Sequence, residues 1–371
     1  MMRTYRAALV GTGSIGDAHV RAVEATAGRV TLDAAVDIDA GRVRDFAKRN
    51  HIAHTYTDYA TMLREQRPDF VLVATPPAQH APMSIAAMEA GAWVFCEKPL
   101  CGSLAELEQI TAAEARTGCY TSCIFQMRFA SSTAHLLRLA DNGHLGRPLV
   151  GVCNTLWYRD KAYYDVPWRG RWDTELGGPT MGLGIHAMDH FLHLLGDWRS
   201  VRAVAATLDR AIEVEDVSMA IVTFANGAVG SIVNSALSPR QETYLRLDYQ
   251  RATVELTHLY GYTRDNWKLT PVPPTQDDDL LQAWQSFPPD VPSTHGAQLC
   301  AIVADRDAGR RPLTSGEQAN RTLELLTAIY KSAFTDTTVL RGSIKPGDPF
   351  YTALHGGSAP RREKGQPPSI T

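Results

Sequence analysis

Cysteine is scarce in this sequence. Six cysteines stand among 371 residues, at positions 96, 101, 119, 123, 153 and 300. Cys119 and Cys123 lie four residues apart but lack the company a zinc site would need. The scatter excludes a secreted disulfide scaffold and predicts buried, reduced thiols in a cytoplasmic protein. Long apolar runs are absent as well. None reaches the roughly 18 uninterrupted residues of a membrane span. The opening MMRTYRAALV leads straight into a glycine loop, with no apolar core or cleavage site of a signal peptide. Nor is there an excess of either charge. With 37 Lys+Arg against 40 Asp+Glu the net charge is −3, so neither nucleic acid nor a membrane is expected as a partner. There is no internal repeat, no G-x-S-x-G elbow and no H-E-x-x-H zinc motif.

What remains is an ordinary soluble composition, 44 % hydrophobic and 21 % charged. The length suits two domains, each with its own core. Up to residue 125, short apolar runs alternate with helical patterns. YRAALV, LDAAV, DFVLVA, AWVFC and YTSCIF read as strands. Ser14–Ala27, Ala40–Arg49, Pro82–Ala90 and Leu104–Thr117 read as helices. Such alternation predicts a parallel, doubly wound sheet. After residue 125 the pattern changes. PLVGVCNTLWY is a long strand candidate, and five further strand runs between residues 201 and 258 follow one another by short turns. That succession predicts a meander and an open, mainly antiparallel sheet. Thr294–Ala308 and Ser315–Phe334 read as helices, and Thr270–Pro292 as a surface loop. The expected organisation is a dinucleotide-binding Rossmann domain over residues 1–125, an α/β domain for substrate and assembly over 126–340, and a Pro/Gly-rich tail over 341–371.

Four stretches carry chemistry. GTGSIG, from Gly11 to Gly16, lies between the first strand and the first helix. Gly11 permits the tight turn, Gly13 admits a pyrophosphate to the backbone, and Gly16 lets the helix pack closely. The helix beyond, from Ser14 on, offers free N–H groups and positive dipole charge. Asp37 closes the second strand 21 residues after Gly16, where a carboxylate bonds ribose hydroxyls and repels a 2′-phosphate. NAD is therefore expected rather than NADP, although Arg42 lies nearby. VATPPAQH, with Thr75, Pro76 and His80, follows the third strand and forms a stiff loop. FCEKPL places Glu97 and Lys98 at the carboxyl end of the next strand, where open α/β sheets bind ligands.

These stretches, with GIHAMD, resemble the Gfo/Idh/MocA oxidoreductases (glucose-fructose oxidoreductase, inositol dehydrogenase and relatives). The resemblance runs from about residue 4 to 340 and extends to RWDTELGGP and EDVSMAIVTFANGAVGSI. It implies a Rossmann domain followed by an α/β domain with an open sheet, assembled into homodimers or homotetramers. It implies cofactor contacts at Thr12, Gly13, Ser14, Ile15, Asp37, Ile38, Thr75–His80, Glu97, Lys98, Gln126, Trp168 and Arg169. Lys98 matches the family's catalytic lysine and His186 its active-site histidine. The implied activity is hydride transfer between a nicotinamide and a sugar, glycoside or cyclitol. Many relatives carry an aspartate four residues before the histidine, and here that position is Gly182. Lys98 and His186 then act alone, or an acid such as Asp189 or Glu175 serves, or the chain is an inactive NAD-binding regulator.

Oxidising a secondary alcohol requires a base within hydrogen-bond reach of the hydroxyl. A free lysine, with a pKa of ~10.4, becomes one when burial lowers that value, and a histidine near ~6.5 needs little tuning. Tyr163, Tyr164, Trp168, Arg169 and Trp172 form an aromatic and cationic patch suited to sugar faces and hydroxyls. Tyr164, Arg169, Asp189, Lys98 and His186 are the expected substrate contacts. His190 and His193 follow His186 at helical spacing and are expected to pack, with no metal required. The glycines of GGPTMGLGIHAMDHFLHLLG are expected to bring backbone against cofactor and substrate.

Overall fold

A computed structural model describes residues 3–273 and 278–357. They fall into two units. One takes the chain up to Gln126 together with Thr294–Asn320, and the other takes Met127–Ser293 together with the chain from Arg321 on.

The first unit alternates β1 (Tyr5–Val10), α1 (Gly16–Glu24), β2 (Val30–Val36), α2 (Ala40–Arg49), β3 (His54–Tyr56), α3 (Tyr59–Gln66), β4 (Phe70–Val73), α4 (His80–Glu89), β5 (Trp93–Cys96), α5 (Leu104–Thr117) and β6 (Thr121–Cys123). The sheet order is β3-β2-β1-β4-β5-β6, and every pair is parallel. Every residue of β4 and β5 is buried, which is why both read as unbroken apolar runs. Strand order reverses between β1 and β4, so the loops that follow them flank the switch point of a doubly wound sheet. The first helix is shorter than the expected Ser14–Ala27. Ser14 and Ile15 stay in a turn closed by Gly16 N donating to Gly13 O, and Ala27 takes a left-handed φ of 50°.

In the second unit α6 (Ser131–Asp141) precedes β7 (Pro148–Tyr158), α7 (Lys161–Tyr164), α8 (Pro179–Gly182) and α9 (Ile185–Leu195). Then come β8 (Trp198–Ala206), β9 (Val217–Phe224), β10 (Val229–Ser235), β11 (Leu237–Tyr249), β12 (Ala252–His258), β13 (Trp267–Pro271) and α10 (Asp278–Gln285). The chain ends with α11 (His295–Asp307), α12 (Gly316–Thr335), β14 (Val339–Leu340) and α13 (Pro349–Thr352). The sheet is mixed, in the order β13-β12-β11-β7-β10-β9-β8-β14. Every pair but β7 with β10 is antiparallel, as expected, and the meander breaks at one link. β10 and β11 are joined by Ala236 alone, too short a link for a hairpin. Each pairs with β7 instead, β10 in parallel and β11 antiparallel. The expected loop over Thr270–Pro292 contains α10; its residues 274–277 lie outside the described residues. Of the tail, Phe350 and Leu354 are buried, and Asp348 pairs with Lys331.

Residues 294–320 join the first unit through named contacts. Gln298 on α11 is fully buried. Its amide donates to Ser122 Oγ, Cys123 O and Thr314 Oγ1, and its oxygen accepts Phe125 N at 3.0 Å. Arg306 lies over the rings of Tyr5, Phe70 and Trp93. No disulfide joins the cysteines among the described residues. Five are buried, but Cys300 is exposed on α11, which corrects the expectation of uniformly buried thiols.

Candidate active site

In the first unit the loop after β1 presses against the loop after β4. A Cβ on Gly11, whose φ is +91°, would lie 2.5 Å from the Ala74 carbonyl oxygen, so this position requires glycine. A Cβ on Gly13 would meet nothing within 4 Å. Gly13 and Ser14 are exposed, and α1 begins without a side-chain cap. Gly16 N and Ala18 N turn to Gly13 O and Ile15 O, and the positive end of the helix dipole faces this open loop, as an anion would require. Gly16 touches Phe46 on α2, 2.9 Å from its would-be Cβ, before it touches Leu9 of β1 at 3.6 Å. The close packing expected there is therefore against a helix first and the strand second.

Asp37 ends β2 and is buried. Its Oδ2 accepts Thr12 N at 3.0 Å and Thr12 Oγ1 at 2.8 Å; its Oδ1 accepts Asp39 N at 3.0 Å. Burial alone would raise the carboxyl, but these donors and the Arg42 charge hold it below the usual carboxylate range. The Arg42 contact is long, 3.4 Å. Asp39, not Asp37, caps α2. Beside Asp37, Ile38 stands 93 % exposed.

Past β4, Thr75 is half-buried and Pro76 exposed. His80 is not available to a cofactor as expected. It is 1 % exposed, with Nδ1 at 2.6 Å from Pro99 O and Nε2 at 2.8 Å from Thr75 O. The ring clasps the loop after β4 to the residue following Lys98. Burial lowers its pKa, against the pull of the two carbonyls. Lys98 leaves the carboxyl end of β5 half-buried. Its neighbour Glu97 is buried, with Oε1 at 3.1 Å from His295 Nε2 and 3.3 Å from His19 Nε2. Burial would lift this carboxyl, but the two imidazoles hold it well below its ordinary value. His19 from α1 and His295 from α11 were not foreseen. No local pattern marks either, because folding alone joins them to Glu97. Gln126 is 1 % exposed, and neither amide atom has a hydrogen-bond partner among the described residues. The positive end of α1, the open face at Gly13, Asp37 and this orphaned amide together fit a dinucleotide.

In the second unit, Gly178 and Gly184 of the glycine-rich segment pack against protein. A Cβ on Gly178 would overlap the Glu215 carbonyl, and one on Gly184 would overlap Asn234 Oδ1. The missing side chains let α8 and α9 settle onto their neighbours. Glu215 accepts Gly178 N and Thr180 N, each at 3.0 Å, and Tyr330 OH at 3.0 Å. Burial raises its pKa to about 7 against those donors. His186, in the first turn of α9, is 2 % exposed. It stands edge-on to Tyr260 with ring centroids 5.4 Å apart.

Arg169 spans the expected patch. Its guanidinium lies 3.9 Å from the Tyr163 ring centroid and 4.3 Å from that of Trp168. It donates to Glu175 Oε1 at 2.8 Å, while Gly170 N donates to Oε2 at 2.6 Å. Tyr164 stands edge-on to Tyr163 at 5.0 Å. Trp172 sits apart, against Tyr330 and Phe334. A Cβ on Gly182 would lie 3.5 Å from Glu175 Oε1, so a carboxylate occupies the space beside the position that lacks one. Asp189, expected at the substrate, is instead fully buried. Arg128 Nε donates to its Oδ2 at 2.7 Å and Thr322 Oγ1 to its Oδ1 at 2.7 Å. With both oxygens engaged inside the unit, it is a core ion pair. His190 is buried beside Thr133 and Tyr262. Burial holds His190 and His193 well below the usual histidine range.

Residues 5–125 match a family model described as "Oxidoreductase family, NAD-binding Rossmann fold". Residues 133–258 match the "GFO/IDH/MocA C-terminal domain". The chain belongs to the GFO/IDH/MocA family. It is an NAD-binding oxidoreductase with a Rossmann domain and a mixed-sheet α/β domain. Within the family it is 28 % identical over 381 residues to D-apiose dehydrogenase of Paraburkholderia graminis, covering 97 % of this chain and 96 % of that one. It is 26 % identical over 360 residues to D-glucoside 3-dehydrogenase of Escherichia coli, covering 90 % and 97 %. Among solved structures, the WlbA dehydrogenase of Bordetella pertussis in complex with NADH and UDP-GlcNAcA superimposes with a TM-score of 0.80 at 26 % identity, covering 91 % and 99 %. No helix among the described residues is long and apolar enough to cross a membrane.

Proposed function

We propose that this family member is an NAD-dependent dehydrogenase acting on a hydroxyl-bearing carbon of a sugar, glycoside or cyclitol, with Lys98 and His186 as its acid–base groups. The reading rests on one observation above all. Lys98 emerges at the carboxyl end of a parallel strand, between the buried Glu97 and the His80 clasp on Pro99, in a domain that binds NAD. The named relatives, dehydrogenases of D-apiose and D-glucosides, support a sugar-like substrate.

When bound, NAD supplies the hydride acceptor. The chain's own task is the proton. As the carbon gives up hydride, Lys98 takes the hydroxyl proton, and in reduction its ammonium returns it. His186 holds the reacting oxygen and passes the proton onward. Glu97 keeps negative charge beside Lys98. The Arg169–Glu175 pair, stacked on Tyr163 and Trp168, meets sugar hydroxyls and places a carboxylate beside Gly182. Asp37 meets the ribose by displacing the long Arg42 contact, and its charge disfavours a 2′-phosphate. Ile38 offers a bare apolar surface beside it. Copies join into a homodimer or homotetramer through the exposed sheet face that carries Val204, Met219, Ile221 and Val229.

The test is NAD reduction by the purified protein across neutral sugars, methyl glycosides, uronates and inositols. Turnover of at least one class is expected. Tight NAD binding without turnover of any class contradicts the reading.

A further inference from the structure

The second unit holds a guanidinium that no carboxylate among the described residues answers. Arg159 follows the last residue of β7 and is half-buried. Its guanidinium carbon lies 4.9 Å from the ring centroid of Trp157 and 5.1 Å from that of Tyr163. Nη1 donates to Tyr158 O at 2.8 Å. Nε is buried and meets no hydrogen-bond acceptor among the described residues. The acids around it are engaged elsewhere: Asp160 caps α7 by accepting Tyr163 N, Asp165 pairs with Lys161, Asp209 with Arg210, and Glu175 with Arg169.

Arg159 and Arg169 approach the same ring, Tyr163, yet differ in charge balance. Glu175 pairs with Arg169, whereas no carboxylate among the described residues pairs with Arg159. Arg159 also connects to the active-site histidine by packing. Trp157 lies 6.3 Å from Tyr260, and Tyr260 lies 5.4 Å from His186. A half-buried cation without a counter-ion is costly, and a ligand anion relieves that cost. A guanidinium stacked between rings is also oriented in advance, so little freedom remains to be lost when an oxyanion arrives.

We infer that the substrate is an anionic sugar, carrying a carboxylate or a phosphate group, and that Arg159 receives that group. This deepens the dehydrogenase reading and rests on it for the placement of His186. Two sources share the chemistry, sugar acids and sugar phosphates, and the experiment separates them.

The holoprotein is assayed with NAD on matched sets that differ in one group: D-glucuronate, D-glucose 6-phosphate and D-glucose, and the corresponding D-galactose set. Equilibrium binding of each to the NADH-loaded protein is measured by calorimetry, so the anion effect is read without turnover. An anionic member is expected to exceed its neutral partner by about 10- to 100-fold in kcat/KM or affinity, the range of one charge-assisted contact. That ratio should collapse in Arg159→Gln, mainly through KM, and survive in part in Arg159→Lys. Preference for the carboxylate or for the phosphate names the source. No anionic member above its neutral partner, or a preference unchanged in both variants, overturns the inference. Turnover of neutral sugars alone leaves the dehydrogenase reading standing while the anion inference falls. Binding without any turnover does the reverse.

Discussion

Glycine serves opposite ends in the two units. In the loop after β1, a side chain at Gly13 would meet only open space, and the bare backbone faces outward beside an uncapped helix. In the segment before His186, the space above Gly178 and Gly184 is already filled by Glu215 and Asn234. Gly13 keeps room for a ligand. Gly178 and Gly184, like Gly11 against Ala74, let protein close upon protein, and those two fix the helix that presents His186. A glycine-rich stretch near a site therefore says only that something comes close, and the neighbouring atoms decide what.

Exchanging alanine into each set breaks the comparison most sharply. Gly178→Ala forces a methyl group into a backbone carbonyl and should cost about 3 kcal/mol of stability or more, read as a lowered denaturant midpoint. Gly13→Ala should leave that midpoint within about 0.5 kcal/mol yet weaken NADH binding about tenfold or more by calorimetry. Equal stability losses in the two variants would erase the distinction.

A smaller effect sharpens the nucleotide side. Asp37→Ser removes the charge that excludes a 2′-phosphate, so NAD should weaken about tenfold while NADP improves, each measured by equilibrium binding. A parent protein that already prefers NADP contradicts the assignment. Smallest is the pH response of the second unit. Burial raises Glu215 to about 7, above the roughly 4.3 of an unfolded chain. The folded state thus retains a proton that the unfolded state releases. Its stabilising share is complete below about pH 4.3 and is lost as pH rises through about 7. Thermal midpoints should fall more between about pH 5 and about pH 8 in the parent than in Glu215→Gln. Parallel slopes would show that Glu215 carries no such linkage.

The fold was largely legible because its signals are local. Continuous apolar runs marked β4 and β5, and the length and alternation of PLVGVCNTLWY marked β7. The β3–α3 pair was missed because its three-residue strand has no buried position and so no apolar signature. The break between β10 and β11 was missed because the two read as neighbours in sequence, whereas each pairs with β7, which lies far earlier in the chain. The same rule divides the site. Gly11, Asp37 and Lys98 stand at strand ends that the sequence itself displays. Tyr260 against His186 and His19 with His295 on Glu97 depend on pairings across scores of residues, which no spacing encodes. Asp189 was misread for the converse reason. Its place on the helix of His186 suggested the site, but its side chain turns to Arg128.

The central claim is that Lys98 and His186 perform the proton transfer of an NAD-dependent dehydrogenase. The most direct measurement is the rate of NAD reduction by the best substrate of the panel, in the parent, Lys98→Ala and His186→Ala, alongside NADH affinity. Both variants should lose about 100-fold or more in kcat, with NADH affinity nearly unchanged in His186→Ala. Parent-like turnover in either variant would remove that residue from the chemistry and contradict the account.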